Sequence, residues 1–131
     1  MMSYGKSVFG FEDLDVYQSA CEFRRGIYEL SRSLPSDERF ALVQQMIRAA
    51  VSLTNNMAEG YGRYNWQETI QFFRHSRGSL MEIVDDLNVC REQGYMADKD
   101  WQASREQAEH LVRQINGYIR YLKDRKANQP R

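Results

Sequence analysis

A run of polar residues at the end of one apolar segment carries the side chains most able to do chemistry. The stretch "TNNMAEGYGR", Thr54 to Arg63, brings two adjacent amides, a carboxylate and two glycines together. Ser52, Asn56, Glu59 and Arg63 are spaced four, three and four residues apart, so one helix face would carry all four. Such a set of hydroxyl, amide and carboxylate groups could form a ligand-binding or catalytic site.

A second set of polar residues, about 25 residues further along the chain, could complete this site. A tight turn near Gly62 would pair two antiparallel helices. Residues at equal distances from that turn would then face each other, which opposes Gln45 to Ser79 and brings Gln45 and Arg48 near Glu82. The pattern therefore predicts a polar seam between the two helices, whose members are Gln45, Arg48, Ser52, Asn56, Glu59, Arg63, Ser79 and Glu82. Gly78 beside it would let the two backbones approach closely.

The seam has two interpretations. We favour a structural one, because buried polar groups must be hydrogen-bonded and a satisfied seam fixes the register of helices. The alternative is a small enzyme or ligand-binding protein that uses the seam between helices two and three.

Other chemistries find little support in the residue types and their spacing. A phosphate-binding loop needs a strand before its glycines, whereas here a helix precedes "GYG". A di-iron bundle needs Glu-x-x-His pairs, and no glutamate here has a histidine three residues later. Cys21 and Cys90 fall on or beside apolar stripes and are interpreted as small core residues. We therefore predict no catalytic residue, no metal site and no cofactor.

Four helices must position these groups. Only Pro35 and Pro130 interrupt the chain, and apolar residues recur every three or four positions, which is the helical period. The predicted helices span about 12–34, 37–59, 66–93 and 98–124. The expected N-caps are Ser36, Asn65 and Asp98, and the expected C-terminal glycines are Gly60 and Gly94. Short links predict an all-α, antiparallel, up-down-up-down four-helix bundle over residues 11–125. A flexible arm would precede it at 1–10, and a flexible tail would follow at 126–131.

The composition bounds the class of protein. The chain has 131 residues, 42% hydrophobic and 27% charged, with a formal net charge of zero, which suits one globular domain. A zero net charge provides no overall field to attract nucleic acid or membrane, so such a partner needs a local patch. The absence of a secretory signal, the isolated cysteines and the lack of a long apolar run predict a cytoplasmic protein without a membrane partner.

A second apolar stripe on helices one and two predicts self-association. One stripe per helix suffices for a bundle core, and an additional exposed stripe usually marks an interface. The candidate interface residues are Tyr17, Tyr28, Phe40, Ile47 and Val51. The alternative is a wide core-facing side on both helices.

Basic residues gather at the C-terminus. Six of them and one acid, Asp124, lie between Arg113 and Arg131. The candidate nucleic-acid-binding residues are Arg113, Arg120, Lys123, Arg125 and Lys126, and the nearby Tyr118 and Tyr121 could stack on bases. The alternative is that cations simply favour the negative end of the helix dipole.

Three segments, "FEDLDVYQSA", "LPSDERFALVQQMIRAAVSLTNNMAEGYGR" and "FFRHSRGSLMEIVDDL", resemble a known family over about Phe11 to Leu122. The family comprises four-helix-bundle proteins encoded within intervening sequences of 23S ribosomal RNA genes. The resemblance implies a cytoplasmic homopentameric ring whose molecular role is not established. The family is similar in fold to the accessory variability protein of diversity-generating retroelements, a basic pentameric barrel that binds nucleic acid and a reverse transcriptase. The expected partners are therefore other copies of this chain, and RNA or a nucleic-acid-processing protein. One departure is Ile47, where the family commonly has arginine.

Overall fold

Four long helices account for most of the molecule. The computed structural model describes residues 7–128. Its helices are α1 (Asp15–Arg32), α2 (Leu42–Tyr61), α3 (Trp66–Glu92) and α4 (Asp98–Asn128), with 3₁₀ turns at Gly10–Asp13 and Ser36–Glu38. Within residues 7–128 there is no strand, which confirms the predicted all-α class.

The helices pack in chain order, and α1 closes the bundle against α4. Hydrogen bonds show that α2 and α3 run antiparallel. Thr69 Oγ1 donates to the carbonyl of Gly60 at 3.0 Å, and Ser76 Oγ donates to the carbonyl of Leu53 at 2.8 Å. Contacts between α3 and α4 follow the same descending order, at Gln67–Lys126, Arg77–Asn116 and Asn88–Trp101.

Apolar side chains from all four helices form one core. Phe23, Met46, Phe73 and Ile115, one from each helix, are at most 2% exposed. These residues belong to the stripes that the three- and four-residue spacing predicted, so burial of the stripes supplies the main driving force for the bundle. None of the helices within residues 7–128 is long and apolar enough to cross a membrane.

Two helices begin later than expected. α1 starts at Asp15 rather than near residue 12, because Leu14 is extended between the 3₁₀ turn and the helix. α2 starts at Leu42 rather than near residue 37, since Ala41 has a non-helical backbone and Ser36–Glu38 forms a separate 3₁₀ turn. Ser36 makes no side-chain cap, contrary to expectation.

The other predicted N-caps differ in outcome. Asn65 caps α3 as expected, since its Oδ1 accepts a hydrogen bond from the backbone N–H of Glu68 at 3.0 Å. Asp98 is instead the first residue of α4, and its carboxylate accepts a hydrogen bond from Arg91 Nε at 3.1 Å. The capping expectation for Asp98 was therefore wrong, because Arg91 at the end of α3 engages the side chain.

The two glycines predicted to end helices also differ in outcome. Gly94 has a φ of +75° and ends α3 as expected. The amides of Gly94 and Tyr95 donate back to the carbonyls of Arg91 and Cys90, which forms a Schellman motif. Gly60 was expected in the left-handed conformation but lies inside α2, which continues to Tyr61.

The predicted arm and tail are partly ordered. The backbone N–H of Ser7 donates to Asp13 Oδ2 at 2.9 Å, which ties residues 7–10 to the 3₁₀ turn. At the other end, α4 continues to Asn128, so residues 126–128 are helical rather than part of a flexible tail. Residues 1–6 and 129–131 of the predicted arm and tail lie outside the described part of the chain.

Candidate functional site

Three members of the predicted polar seam meet between α2 and α3. Asn56 Nδ2 donates to the Ser52 carbonyl at 2.8 Å and to Ser52 Oγ at 3.1 Å. Ser79 Oγ also donates to Ser52 Oγ, at 3.0 Å. Ser79 is buried, and Ser52 and Asn56 are half-buried. These groups hydrogen-bond one another, which is the arrangement that fixes two helices in register.

Glu59 and Arg63 form a surface ion pair rather than a part of that cluster. Arg63 Nη2 lies 3.1 Å from Glu59 Oε2, and both side chains are well exposed. Arg63 also lies 3.9 Å from Glu68 Oε1 and stacks over the Phe72 ring at 4.9 Å. An exposed pair of this kind contributes about 0–1 kcal/mol to stability.

The expected contacts of Gln45 were wrong. Gln45 Nε2 donates to Asp86 Oδ1 at 2.8 Å instead of meeting Ser79 or Glu82. Because α2 continues to Tyr61 and α3 begins at Trp66, the helices pair about a point beyond Gly62. This displaces the α2 residues along α3 by roughly one and a half to two helical turns from the expected register.

Arg48 and Glu82 are exposed, and neither takes part in an ion pair between described residues. The seam therefore lacks the central Glu82 that the sequence had suggested. Gly78 does not sit at a close approach either, since a Cβ there would have no neighbour within 4 Å.

Asp86 is the buried acid that the sequence interpretation missed. It is 2% exposed, and its Oδ2 has no hydrogen-bond partner among the described residues. The pKa of Asp86 is raised to about 6, mainly by burial and also by the carboxylates of Glu82 and Asp85, while the hydrogen bond from Gln45 opposes this increase. The available signal was its position on the apolar stripe of α3, three residues after Ile83.

The other buried titratable group beside it is a thiol. Burial raises the pKa of Cys90 to about 11, so the group stays protonated at neutral pH and is a poor nucleophile. Cys90 is fully buried, as expected of a core residue, whereas Cys21 is half-buried. No group of three or more His, Cys, Asp or Glu side chains in residues 7–128 is arranged to hold a metal ion.

A groove runs along the outer side of α1 and α2. It consists of two adjoining cavities of about 550 and 430 Å³ that share Tyr28 and Arg32. Tyr28, Ile47 and Val51 from the predicted interface line it. The other two candidates lie elsewhere: Phe40 is 80% exposed in the α1–α2 link, and Tyr17 packs edge-on against Phe11 at 4.9 Å.

Arginines line this α1–α2 groove on both helices and in the link. They are Arg24, Arg25, Arg32 and Arg39. None of them takes part in an ion pair with a carboxylate of residues 7–128, although Arg24 donates to Thr54 Oγ1 at 2.6 Å. One carboxylate, Glu29, also lines the groove. The groove thus combines apolar side chains with an excess of positive charge.

The basic residues of α4 point in two directions. Arg113, Arg120 and Lys123 share one exposed face of the helix. Arg125 and Lys126 turn towards the start of α3, where Arg125 lies 5.6 Å from the Trp66 ring centre and Lys126 donates to Gln67 Oε1 at 2.7 Å. Among the described residues, Arg113 is the only one of the five that forms an ion pair, with Glu109 at 3.8 Å.

An aromatic pocket lies between α4 and the start of α3. The sequence did not predict this pocket. Its volume is about 580 Å³. It is lined by Leu14 before α1, by residues from the end of α2 to the first turn of α3, and by α4. Its aromatic lining residues are Tyr61, Tyr64, Trp66, Tyr118 and Tyr121. The sequence suggested Tyr118 and Tyr121 as residues that stack on bases, but separate segments form the pocket, so their meeting with the aromatics of "GYGRYNW" was not predicted.

The comparisons with known proteins bear on this geometry. The family model described as 23S rRNA-intervening sequence protein matches residues 12–117. The chain belongs to the 23S rRNA-intervening sequence protein family. The predicted resemblance is therefore confirmed, and no enzymatic family is indicated. A comparison with curated proteins gave no match.

A solved structure supports the fold of this family member. The chain is similar to a protein of unknown function from the S23 ribosomal protein family of Bacteroides thetaiotaomicron, with a TM-score of 0.73 and 16% identity. The similarity covers 79% of this chain and 97% of that one. At this identity the likeness establishes the four-helix fold alone.

Proposed function

We propose that this 23S rRNA-intervening sequence protein is a non-enzymatic, cytoplasmic scaffold that assembles into a homo-oligomer, a pentamer, and binds RNA or another nucleic acid through its basic surfaces. The observation that carries the assembly is the α1–α2 groove. Tyr28, Ile47 and Val51 form an apolar surface outside a core that is already complete without them. Covering such a surface releases water from apolar groups, which favours association.

The same molecule offers a complementary surface for this groove. Met81 on α3 is 49% exposed, and the exposed acids Glu82 and Asp85 lie beside it in sequence. An apolar side chain flanked by acids matches apolar walls flanked by arginines. Two different surfaces that fit each other make a head-to-tail contact, which closes into a ring when the rotation allows it.

Val51→Glu tests the assembly. A carboxylate at position 51 would replace apolar surface of the groove and would lose hydration on association, so we expect a smaller species by sedimentation velocity with unchanged helicity by circular dichroism. Ala103→Glu, an equivalent charge at an exposed position of α4, is the control and should leave the oligomer intact. If Val51→Glu retains the mass of the wild type, the groove is not the interface.

The nucleic-acid part of the proposal rests on the exposed face of α4. Arg120 and Lys123 have no acidic partner within residues 7–128, so both remain able to contact phosphates. Substituting both with Gln should weaken RNA binding and reduce the slope of log affinity against log salt concentration by about 1–2 units. An unchanged slope would remove this face from the binding surface.

The polar seam does not favour the alternative function. Ser52, Asn56 and Ser79 direct their hydrogen bonds at one another, and Glu59 is held by Arg63 at the surface. The chemistry of the seam is therefore that of a helix junction, and a small enzyme or ligand-binding protein built on it gains no specific support.

A further inference from the structure

We propose that the aromatic pocket, the cavity lined by Tyr61, Tyr64, Trp66, Tyr118 and Tyr121, binds a base of single-stranded nucleic acid, with the adjoining phosphate on Arg125 and Lys126. This inference rests on the proposed function and names the site and the chemical group that the site takes. RNA and single-stranded DNA share the phosphate backbone and three of their four bases, and the experiment below compares binding of the two.

The size and composition of the pocket suit a planar ring. A volume of about 580 Å³ falls in the range of about 300–1,000 Å³ typical of small-molecule sites. Tyr121 and Tyr61 remain 49% and 42% exposed, so aromatic surface is available at the mouth. Unpaired bases stack on such rings whatever their sequence, because every base has a π-face.

The rings are held in place by the fold. Tyr118 packs on the buried Phe73 with ring centres 4.7 Å apart, and Tyr121 stacks on Tyr118 at 5.6 Å with an interplanar angle of 29°. Trp66 is the first residue of α3, directly after its Asn65 cap. The aromatic surfaces are therefore ordered before a ligand arrives, which lowers the entropic cost of binding.

Charge around the pocket favours an anionic ligand over a cationic one. The Arg125 guanidinium lies over the Trp66 ring at 5.6 Å. No carboxylate is among the lining residues. An aromatic cage for an ammonium group would have no negative charge to balance the cation, whereas a nucleotide phosphate would meet Arg125 and Lys126.

The acidic side chains near the pocket restrict the path of the bound nucleic acid. Glu59 and Glu68 are both within 4 Å of Arg63, which leaves little free positive charge on that side. Asp13 and Asp15 line a neighbouring cavity of about 520 Å³ that shares Leu14, Tyr118 and Tyr121 with the pocket. The backbone phosphates would therefore leave the pocket towards the end of α4, while the base edges face the acids.

The test measures fluorescence anisotropy of a labelled 12-nucleotide RNA, and of DNA of the same sequence, with the full chain. Tyr121→Leu keeps apolar bulk but removes the π-face and should weaken binding about 5-fold to 100-fold. Tyr121→Phe keeps the ring and should bind as the wild type does. Phe40→Leu is the matched control, since Phe40 is also an exposed aromatic beside an arginine, Arg39 at 5.9 Å, but lies outside the pocket.

A second probe separates this inference from the proposed function. The chain has two tryptophans, so the Trp101→Phe variant reports the fluorescence of Trp66 alone. Uridine monophosphate has a base that can stack in the pocket and should change this fluorescence. Ribose 5-phosphate has no base and should not. If the wild type binds RNA and Tyr121→Leu binds it equally, the pocket assignment is wrong and the proposed function stands. If neither oligonucleotide binds, the nucleic-acid part of the proposed function fails. A change in Trp66 fluorescence with the mononucleotide would then make the pocket a site for free nucleotides, which overturns the assignment to single-stranded nucleic acid. If Tyr121→Leu lowers the oligomer mass instead, the pocket contacts another copy of the chain and the assignment is overturned.

Discussion

At the residue scale, two glycines in helices show how little a residue type reveals without its neighbours. A Cβ at Gly60 would lie 2.5 Å from the Cβ of Phe72, whereas a Cβ at Gly78 would have nothing within 4 Å. The close approach of α2 and α3 therefore occurs at Gly60, at the end of the pair. The sequence suggested Gly78 because it precedes Ser79, but consecutive residues lie about 100° apart around a helix, and Gly78 is exposed whereas Ser79 is buried.

Gly60→Ala and Gly78→Ala should change stability in opposite directions. The Gly60 variant must move two backbones apart, so we expect a loss of about 1–3 kcal/mol in the free energy of unfolding. The Gly78 variant gains helix propensity without a clash and should gain up to about 1 kcal/mol. Urea denaturation at one protein concentration measures both. A Gly60→Ala variant as stable as the wild type would show that the helices can separate there at no cost.

Asp86→Asn should remove a pH-dependent part of stability. The pKa of Asp86 in the fold, about 6, is above the value of about 3.9 in an unfolded chain. The protonated form is thus favoured by folding, and its contribution is complete below about pH 4 and lost as the pH rises through about 6. At pH 7.5 the buried carboxylate costs on the order of 1–3 kcal/mol, which the amide variant should recover.

Thermal denaturation at about pH 4 and pH 7.5 checks this expectation. The stability difference between Asp86→Asn and the wild type should be small at the lower pH and favour the variant at the higher one. Asp85→Asn, at the exposed neighbouring acid, should show a much weaker dependence. An Asp86→Asn variant that is less stable than the wild type at pH 7.5 would mean that the ionised carboxylate has a stabilising partner.

At the scale of the elements, local signals identified the helices, and distant contacts decided their details. The three- and four-residue spacing of apolar residues is a local property, so the stripes through Phe23, Met46, Phe73 and Ile115 could be predicted. The start of α2 depends on a bend at Ala41 that no single residue type announces. The aromatic pocket and the α1–α2 groove need side chains from separate segments, so their formation could not be predicted from one helix at a time.

The register of α2 against α3 illustrates the same limit. Ser52 and Ser79 were both expected in the seam and do meet, but Gln45 pairs with Asp86 rather than Glu82. The difference arises because the two helices pair about a point beyond Gly62, so each α2 residue lies beside an α3 residue further along the chain than expected. The position of the turn thus determines which acid of α3 meets Gln45.

Asn65→Ala tests the one N-cap that the sequence identified correctly. Loss of the hydrogen bond to the Glu68 amide should cost about 0.5–2 kcal/mol in the free energy of unfolding. Asn55→Ala, at an exposed position inside α2, removes an amide where helix propensity favours alanine and should be neutral or slightly stabilising. Equal effects of the two substitutions would indicate that the cap contributes nothing to stability.

At the scale of the whole molecule, the distribution of charge matters more than its sum. The net charge is zero, yet arginines concentrate along the α1–α2 groove and cations along the end of α4, while Glu82 and Asp85 lie on α3. A chain with this separation can associate with copies of itself and still present basic surfaces to nucleic acid. The proposed assembly and the proposed partner therefore use different faces of the bundle.

The most direct measurement is light scattering on a size-exclusion column, with absorbance read at 260 and 280 nm, for the wild-type chain purified without nuclease. The account predicts a protein mass near that of five chains, accompanied by excess absorbance at 260 nm from bound nucleic acid. A pentamer without that absorbance would confine the account to self-association. A monomer would contradict its central claim, because the apolar surface of the α1–α2 groove would then be stable in water without a partner copy.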